Sequence, residues 1–417
     1  MSRRDFLKKM GLAVGTMGIA PVSQAINPMS NFKGKDIKVG LLLPENAGYP
    51  QLADHYLAGF KTKLLSRKAK DSSIGFQTEF YRTSDNSFYR NIKSMLFESN
   101  VDVVVVHASN FLIEGIWELF HQNERILIAS VIGENVGVSL PVSPYIYINS
   151  LNLWQSNWMA GKWVAENIGH KVAIVNSFYD SGFHASNTFK LGFESGGGNH
   201  VGLFMIDPPN GTFNPGAVIS EIEKEMPDTI FANLSGVAAT AFLKAYLSSS
   251  LNGKVKLVAS PMAVTEQSLP HIGIEACGIK SFFTWSTVLE NKENADFIKL
   301  LQNKKVEVPD VFHLLGYETA MMLIAAEEKA GVGFETRSYA KALELLEMES
   351  PRGIVRMDKE SHISASPYYL REVSTMKYKL INKIVSEELA VVDENNELVR
   401  NEYNRMVSGW INPYLTS

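Results

Sequence analysis

Ser109-Asn110 follows the run Val101-Asp102-Val103-Val104-Val105-Val106 after two residues and stands before a helical pattern through Ile113, Trp117 and Phe120. A hydroxyl there meets the free N–H groups of a helix's first turn. That setting suits a carboxylate or amide oxygen, and it equally suits a plain helix cap. Similar polar groups follow other apolar runs. Ser130 ends the run 126–130, with Glu134 close behind; Tyr49 follows 37–43; Tyr179 follows 171–175; Ser235 follows 229–232; Met262 follows 255–259. Glu134 can accept from a cationic group or stand as a solvated loop charge. Tyr49 can act as an aromatic lid, and Tyr179 can either cover a small molecule or pack in the core. Such groups are suited to holding a molecule.

Signatures for converting one are missing from the local sequence. There is no His-Glu-x-x-His, no Cys-x-x-Cys, no Gly-x-Ser-x-Gly and no phosphate-binding Gly-rich loop. The nine histidines are scattered, and each reads as a surface or satisfied core residue, so no metal is expected. No cofactor is called for. A site assembled from distant residues would escape this search. The single cysteine, Cys277, lies among Ile274, Ala276 and Ile279 and reads as a buried, inert thiol.

The elements that must position these residues follow from periodicity. Short apolar runs predict strands at 37–43, 76–81, 101–106 and 126–130, and helices alternate with them at 51–66, 86–98 and after Ser109. The valine run is apolar on both faces, as in a parallel sheet covered by helices. The pattern restarts after 145–148. Helix 152–168, strand 171–175, helix 185–194, strand 201–206, helix 215–225, strand 229–232, helix 237–247 and strand 255–259 form a second set. Helices at 294–302 and 311–328 follow, and the part from Arg352 reads as β-like. A chain of 417 residues with two such sets predicts two α/β units, each with its own core.

The N-terminus reads as an export signal. Ser2-Arg3-Arg4-Asp5-Phe6-Leu7-Lys8 has the twin-arginine form, followed by a weakly apolar stretch and by Ser23-Gln24-Ala25 as a cleavage region. Residues 1–25 are therefore expected to leave, placing the mature chain in the periplasm. The formal net charge of −4 then becomes about −7, which argues against a nucleic-acid partner.

Four stretches together resemble the type 1 periplasmic solute-binding proteins of the leucine/amino-acid-binding branch. They are Ile37-Lys38-Val39-Gly40-Leu41-Leu42-Leu43-Pro44 with Leu57-Ala58-Gly59-Phe60; Tyr179-Asp180-Ser181-Gly182 with Phe189 and Gly192-Phe193-Glu194; Leu315-Gly316-Tyr317-Glu318-Thr319-Ala320; and Ser350-Pro351-Arg352-Gly353 with Arg356-Met357-Asp358 and Pro367-Tyr368-Tyr369-Leu370-Arg371. The resemblance implies two doubly wound, Rossmann-like α/β lobes joined by a three-strand hinge. Lobe one would be 36–149 plus 286–348, and lobe two 150–285 plus 349–417. It implies a non-catalytic protein that captures a small polar ligand (amino acid, amide or small organic acid) and delivers it to an ABC-type membrane permease, as a monomer or weak dimer.

It further implies that Ser109 and Ser130 take one end of the ligand and Tyr179 covers it, with Tyr49, Asn110, Glu134, Ser235 and Met262 around them. Amino-acid binders of this kind carry an acidic residue in the loop that here reads Ser260-Pro261-Met262-Ala263-Val264, and an aromatic in the loop Asn233-Leu234-Ser235. Neither is present, so an α-amino acid is not assured. A ligand-sensing subunit of a membrane receptor and a twin-arginine-exported enzyme remain the alternatives.

Overall fold

The structure is a computed structural model and describes residues 37–388, apart from 46–48, 68–73, 83–84, 136–140, 183, 207–213 and 332. The expected export signal and the tail 389–417 lie outside the described residues.

The apolar runs become parallel strands. β1 (Ile37–Pro44), β2 (Ile74–Tyr81), β3 (Val103–His107), β4 (Ile126–Val131) and β5 (Ile146–Ser150) form one five-stranded sheet in the order β2-β1-β3-β4-β5. Val103 to Val106 are fully buried, because helices cover both faces of this central strand. The connecting helices are α1 (Leu52–Ser66), α2 (Ser87–Phe97) and α3 (Asn110–Gln122).

A second sheet has the order β15-β14-β10-β9-β8-β6-β7. Its parallel strands are β6 (Lys171–Asn176), β7 (His200–Met205), β8 (Thr229–Asn233), β9 (Lys256–Ala259) and β10 (Lys280–Phe283). Helices α4 (Leu153–Asn167), α5 (Ala185–Ser195), α6 (Pro215–Glu225), α7 (Gly236–Leu247) and the short α8 (Leu269–Ile272) accompany them. In α6, Pro215 begins the helix while the Asn214 side chain accepts from the Ala217 amide, so two donor-free or capped positions fix its start.

After β10 the chain returns toward the first sheet through α9 (Lys292–Gln302), α10 (Val311–Ala330) and α11 (Thr336–Glu344). Phe283, Trp285 and residues of all three helices pack into the core of the first sheet. A small antiparallel sheet, β11 (Glu347–Ser350), β12 (Gly353–Met357) and β13 (Ser364–Ala365), follows. The long hairpin β14 (Tyr368–Met376) and β15 (Lys379–Glu388) then closes the far side of the second sheet, with β14 antiparallel to β10.

Two features differ from the sequence expectation. Helix α11 has Tyr339, Ala340 and Leu343 buried, but the short TRSYAKALE segment carries too few apolar residues to register. Cys277 is exposed rather than buried. It follows a single 3-10 turn, Ile274–Ala276, in which only Ala276 points inward, and Ile274 is itself exposed. An apolar neighbourhood in sequence does not fix the face on which a turn residue lands.

Candidate functional site

In parallel sheets the loops after the strands gather at one edge, beside the N-termini of the helices that follow. In the first sheet β3 ends at His107, whose Nδ1 lies 2.7 Å from the Ser130 carbonyl. Burial pushes this imidazole down to about 4, so it is neutral, and Nδ1 must carry the proton that the carbonyl accepts. Its Nε2 is then an acceptor, buried and without a hydrogen-bond partner among the described residues.

Two residues on, Ser109 occupies the cap position of α3 with extended backbone, yet its hydroxyl makes no cap bond. Ser109 is buried and its Oγ has no partner among the described residues. A helix cap would normally use that hydroxyl, so this serine is free for another acceptor or donor. Asn110 is half-buried in the first turn beside it.

Ser130 is placed differently. It is fully buried, and its hydroxyl accepts from Thr319 of α10 at 3.4 Å and is also bonded to Tyr56 of α1. Its side chain thus braces helices behind the strand ends. Glu134 is buried, and burial pushes its carboxyl up to about 7 against the pull of its own and the Gly133 backbone N–H groups.

The second sheet presents a matched edge. The Asn233 side chain at the end of β8 donates to Asn176 Oδ1 at the end of β6, at 2.7 Å, and to Ser186 at 3.1 Å. Asp180 lies in the loop after β6. Its carboxylate accepts from the Ser235 amide at 3.1 Å and the Ser235 hydroxyl at 2.7 Å, and also from Ser177. A carboxylate at the start of α7 is favoured by that helix's dipole. Tyr179 packs against the core of the first sheet although it belongs to a loop of the second. Burial raises its hydroxyl pKa well above normal, with the nearby Tyr49, Asp180 and Glu134 adding to the effect. Burial pushes the Tyr49 hydroxyl up to about 12, with Ser235 and Asp180 close enough to act on it. Tyr49, Glu134, Tyr179 and Ser235, far apart in sequence, therefore share one neighbourhood.

Beside them is a cavity of about 370 Å³. From the first sheet's side, Tyr49, Leu52, His55, Asp310 and Phe312 line it; from the second, Pro261, Met262, Glu266 and Arg371; Phe283 and Trp285 close the end. Tyr49 meets Phe312 edge-on, with centroids 6.0 Å apart.

The histidines are not all scattered: His55 of α1 and His313 of α10 stack at 4.3 Å, and both bind Asp310. Their Nδ1 atoms lie 2.6 and 2.7 Å from its two oxygens. Asp310 also caps α10, accepting from the Phe312 and His313 amides at 3.0 Å each. Burial alone would raise its carboxyl, but the two histidines hold it far below the usual range. These are hydrogen-bond separations, shorter than the roughly 3 Å or more between atoms that share a metal at bond lengths near 2.0–2.1 Å. The grouping was invisible in the sequence because the two histidines come from helices that are remote in the chain and adjacent only in the fold.

The family model described as periplasmic binding protein matches residues 83–377. The chain belongs to the periplasmic binding protein family. A Leu/Ile/Val-binding protein homolog from Brucella melitensis is 28% identical over 239 residues, which are 56% of this chain and 60% of that protein. The chain thus spans about three fifths of the curated relatives it matches.

Solved structures of periplasmic binding proteins share the fold. A solute binding protein of an ABC transporter from Rhodopseudomonas palustris, in complex with p-hydroxybenzoic acid, superposes with a TM-score of 0.72 at 24% identity, over 86% of this chain and 99% of that one. An ABC transporter substrate-binding protein from Sphaerobacter thermophilus gives 0.75 at 19%, over 85% and 98%. A leucine binding protein from Thermotoga maritima gives 0.64 at 14%, over 86% and 99%. The fold is the type 1 periplasmic binding protein architecture read from the sequence.

Sequence reasoning missed His55, Asp310, Phe312 and Arg371 on the cavity wall. For Arg371 a signal was present. It stands in the run Tyr368-Tyr369-Leu370-Arg371, buried on both faces of β14, so a guanidinium in an otherwise apolar strand start was the mark of a buried cation.

Proposed function

We propose that this chain is an exported, non-catalytic solute-binding protein of the periplasm. It holds one small polar molecule between two lobes and passes it to an ABC-type importer. Lobe one comprises 36–149 plus 286–348, and lobe two 150–285 plus 349–417. The observation that carries this reading is the meeting of strand-end loops from both sheets, with Tyr179 packed against the first core beside a cavity walled from both sides. A ligand touching both walls favours the closed arrangement by its differential affinity, and no bond-making chemistry is needed.

Tyr49 and Met262 are the contacts on the cavity wall. Ser109, with its unpartnered hydroxyl, and Asn110 offer a hydrogen-bonding end. Glu134, Tyr179 and Ser235 form the facing rim, and Ser130 supports it from behind through Thr319. The names of related proteins favour small carboxylates: hydroxybenzoic acids and branched-chain amino acids.

A thermal-shift screen of amino acids, amides and organic acids on purified protein tests the reading. A true ligand at a hundredfold excess over its Kd adds about 2.7 kcal/mol of apparent stability, and the melting temperature rises. If no compound of any of these classes shifts the melt or gives heat on titration, the reading fails.

A further inference from the structure

Arg371 is a buried cation on the cavity wall, only 3% exposed. Its Nη1 donates to the Trp285 carbonyl at 2.8 Å. Its Nε and Nη2 donate to the Ser281 hydroxyl at 3.3 and 3.1 Å. A guanidinium carries five N–H donors, so two remain beyond these three contacts. Every acceptor it has is neutral, and the Phe283 ring lies 5.1 Å from its central carbon. No carboxylate hydrogen-bonds to it among the described residues. Burial lowers its pKa to about 10, and Glu266 acts on it only through its charge.

Burying a cation without a bonded counter-ion is costly, and tying β14 to β10 needs only a neutral donor. A planar fork retained in such a place matches one kind of partner, the two oxygens of a carboxylate. The other charged groups of the wall are already engaged. Glu266 accepts from Asn382 at 3.1 Å and Thr287 at 3.4 Å. Asp310 is held by His55, His313 and the first amides of α10. The same cavity has an apolar part formed by Tyr49, Met262, Phe283, Trp285 and Phe312. A volume of about 370 Å³ is at the small end of ligand sites, roughly 300–1,000 Å³.

The geometry points to a ligand that is a small carboxylate with an apolar body, its carboxylate on Arg371 and its body against Tyr49, Phe312 and Trp285. This inference rests on the solute-binding reading and narrows it. The same chemistry is offered by a simple organic acid and by an apolar α-amino acid, so the test uses both.

Calorimetry on the full chain would compare benzoate, 4-methylpentanoate and leucine, each with its primary amide. At least one acid should bind, and by at least about tenfold more tightly than its amide, as a charge-assisted bond implies. Leucine alone showing the preference would identify an amino acid, and either simple acid an organic acid; both support Arg371 as the carboxylate site. Arg371→Gln should erase the preference, and Arg371→Lys should keep part of it. If R371Q fails to fold, R371K carries the comparison, because an acid preference in the native chain alone would also fit Ser109 at the start of α3. Equal affinity for acid and amide, or a preference that survives in folded R371Q, overturns the inference. If none of the six binds while a sugar or other neutral solute does, this inference falls and the solute-binding reading stands. If nothing binds, both fall.

Discussion

Glu134 couples the rim of the cleft to pH. Its carboxyl titrates at about 7 in the folded chain, against 4.5 for an unperturbed glutamate, because burial penalises the charged form. The folded state therefore binds the proton more tightly than the unfolded one between these values. Stability is lost as pH rises from about 4.5 to 7, in total on the order of 3 kcal/mol. Glu134→Gln removes the titration. It should raise the melting temperature at pH 8 and leave it nearly unchanged at pH 4.5, and melts of both proteins across this range would show it. A gap of constant size at every pH would mean that the carboxyl is not buried as described.

At this scale the sequence was uneven. Ser109 and Tyr49 were legible because each follows an unmistakable apolar run. The bracing role of Ser130 was not, because its partners Thr319 and Tyr56 come from helices remote in the chain.

Among the elements, α1 and α10 approach each other backbone to backbone, as α4 and α5 also do. A Cβ placed on Gly59 would lie 2.0 Å from the His313 carbonyl oxygen, and one on Gly316 would lie 2.0 Å from the Tyr56 carbonyl oxygen. Each helix thus presents a glycine to the backbone of the other. Gly59→Ala must push the pair apart, at about 1–3 kcal/mol by the usual cost of overpacking, and urea unfolding would report it. Because α10 carries Asp310 and Phe312 on the cavity wall, the same change should weaken ligand binding. Gly216→Ala, near the start of α6 with no atom closer than 3.9 Å to the new methyl, is the control and should be close to neutral. Both glycines lie in segments that carried the family resemblance. Their contact was not legible, since helical periodicity specifies a buried face and not the helix that covers it.

For the whole molecule, one ion pair with no access to water lies where the chain passes between the sheets. Glu318 of α10 and Arg352, between β11 and β12, are both fully buried. Arg352 Nε donates to both carboxylate oxygens at 2.9 and 3.0 Å, and its other nitrogens reach Ser366 at 2.9 Å and Asn149 of β5 at 3.3 Å. Ser350 donates to Glu318 at 2.7 Å. Asn149 and Ser364 lie where the chain passes between the sheets, and the Ser150 amide donates to Ser364 at 2.9 Å. Glu318→Gln leaves a buried guanidinium uncompensated and should cost about 3–5 kcal/mol in chemical denaturation. Adding Arg352→Met should recover part of that loss; strictly additive losses would show that the two residues act separately. The alternation of strands and helices made the architecture readable from the chain. The two later crossings between lobes, expected near 286 and 349, came only from resemblance, because a strand's sequence does not say which sheet it joins.

Cys277 precedes β10 at the N-terminal end of that strand, on the edge of the second sheet opposite the loops that follow the parallel strands. As the sole thiol of the chain, and an accessible one, it accepts a single maleimide dye or surface tether that leaves those strand-end loops unobstructed. For the same reason, stock solutions kept without reductant will accumulate cross-linked pairs.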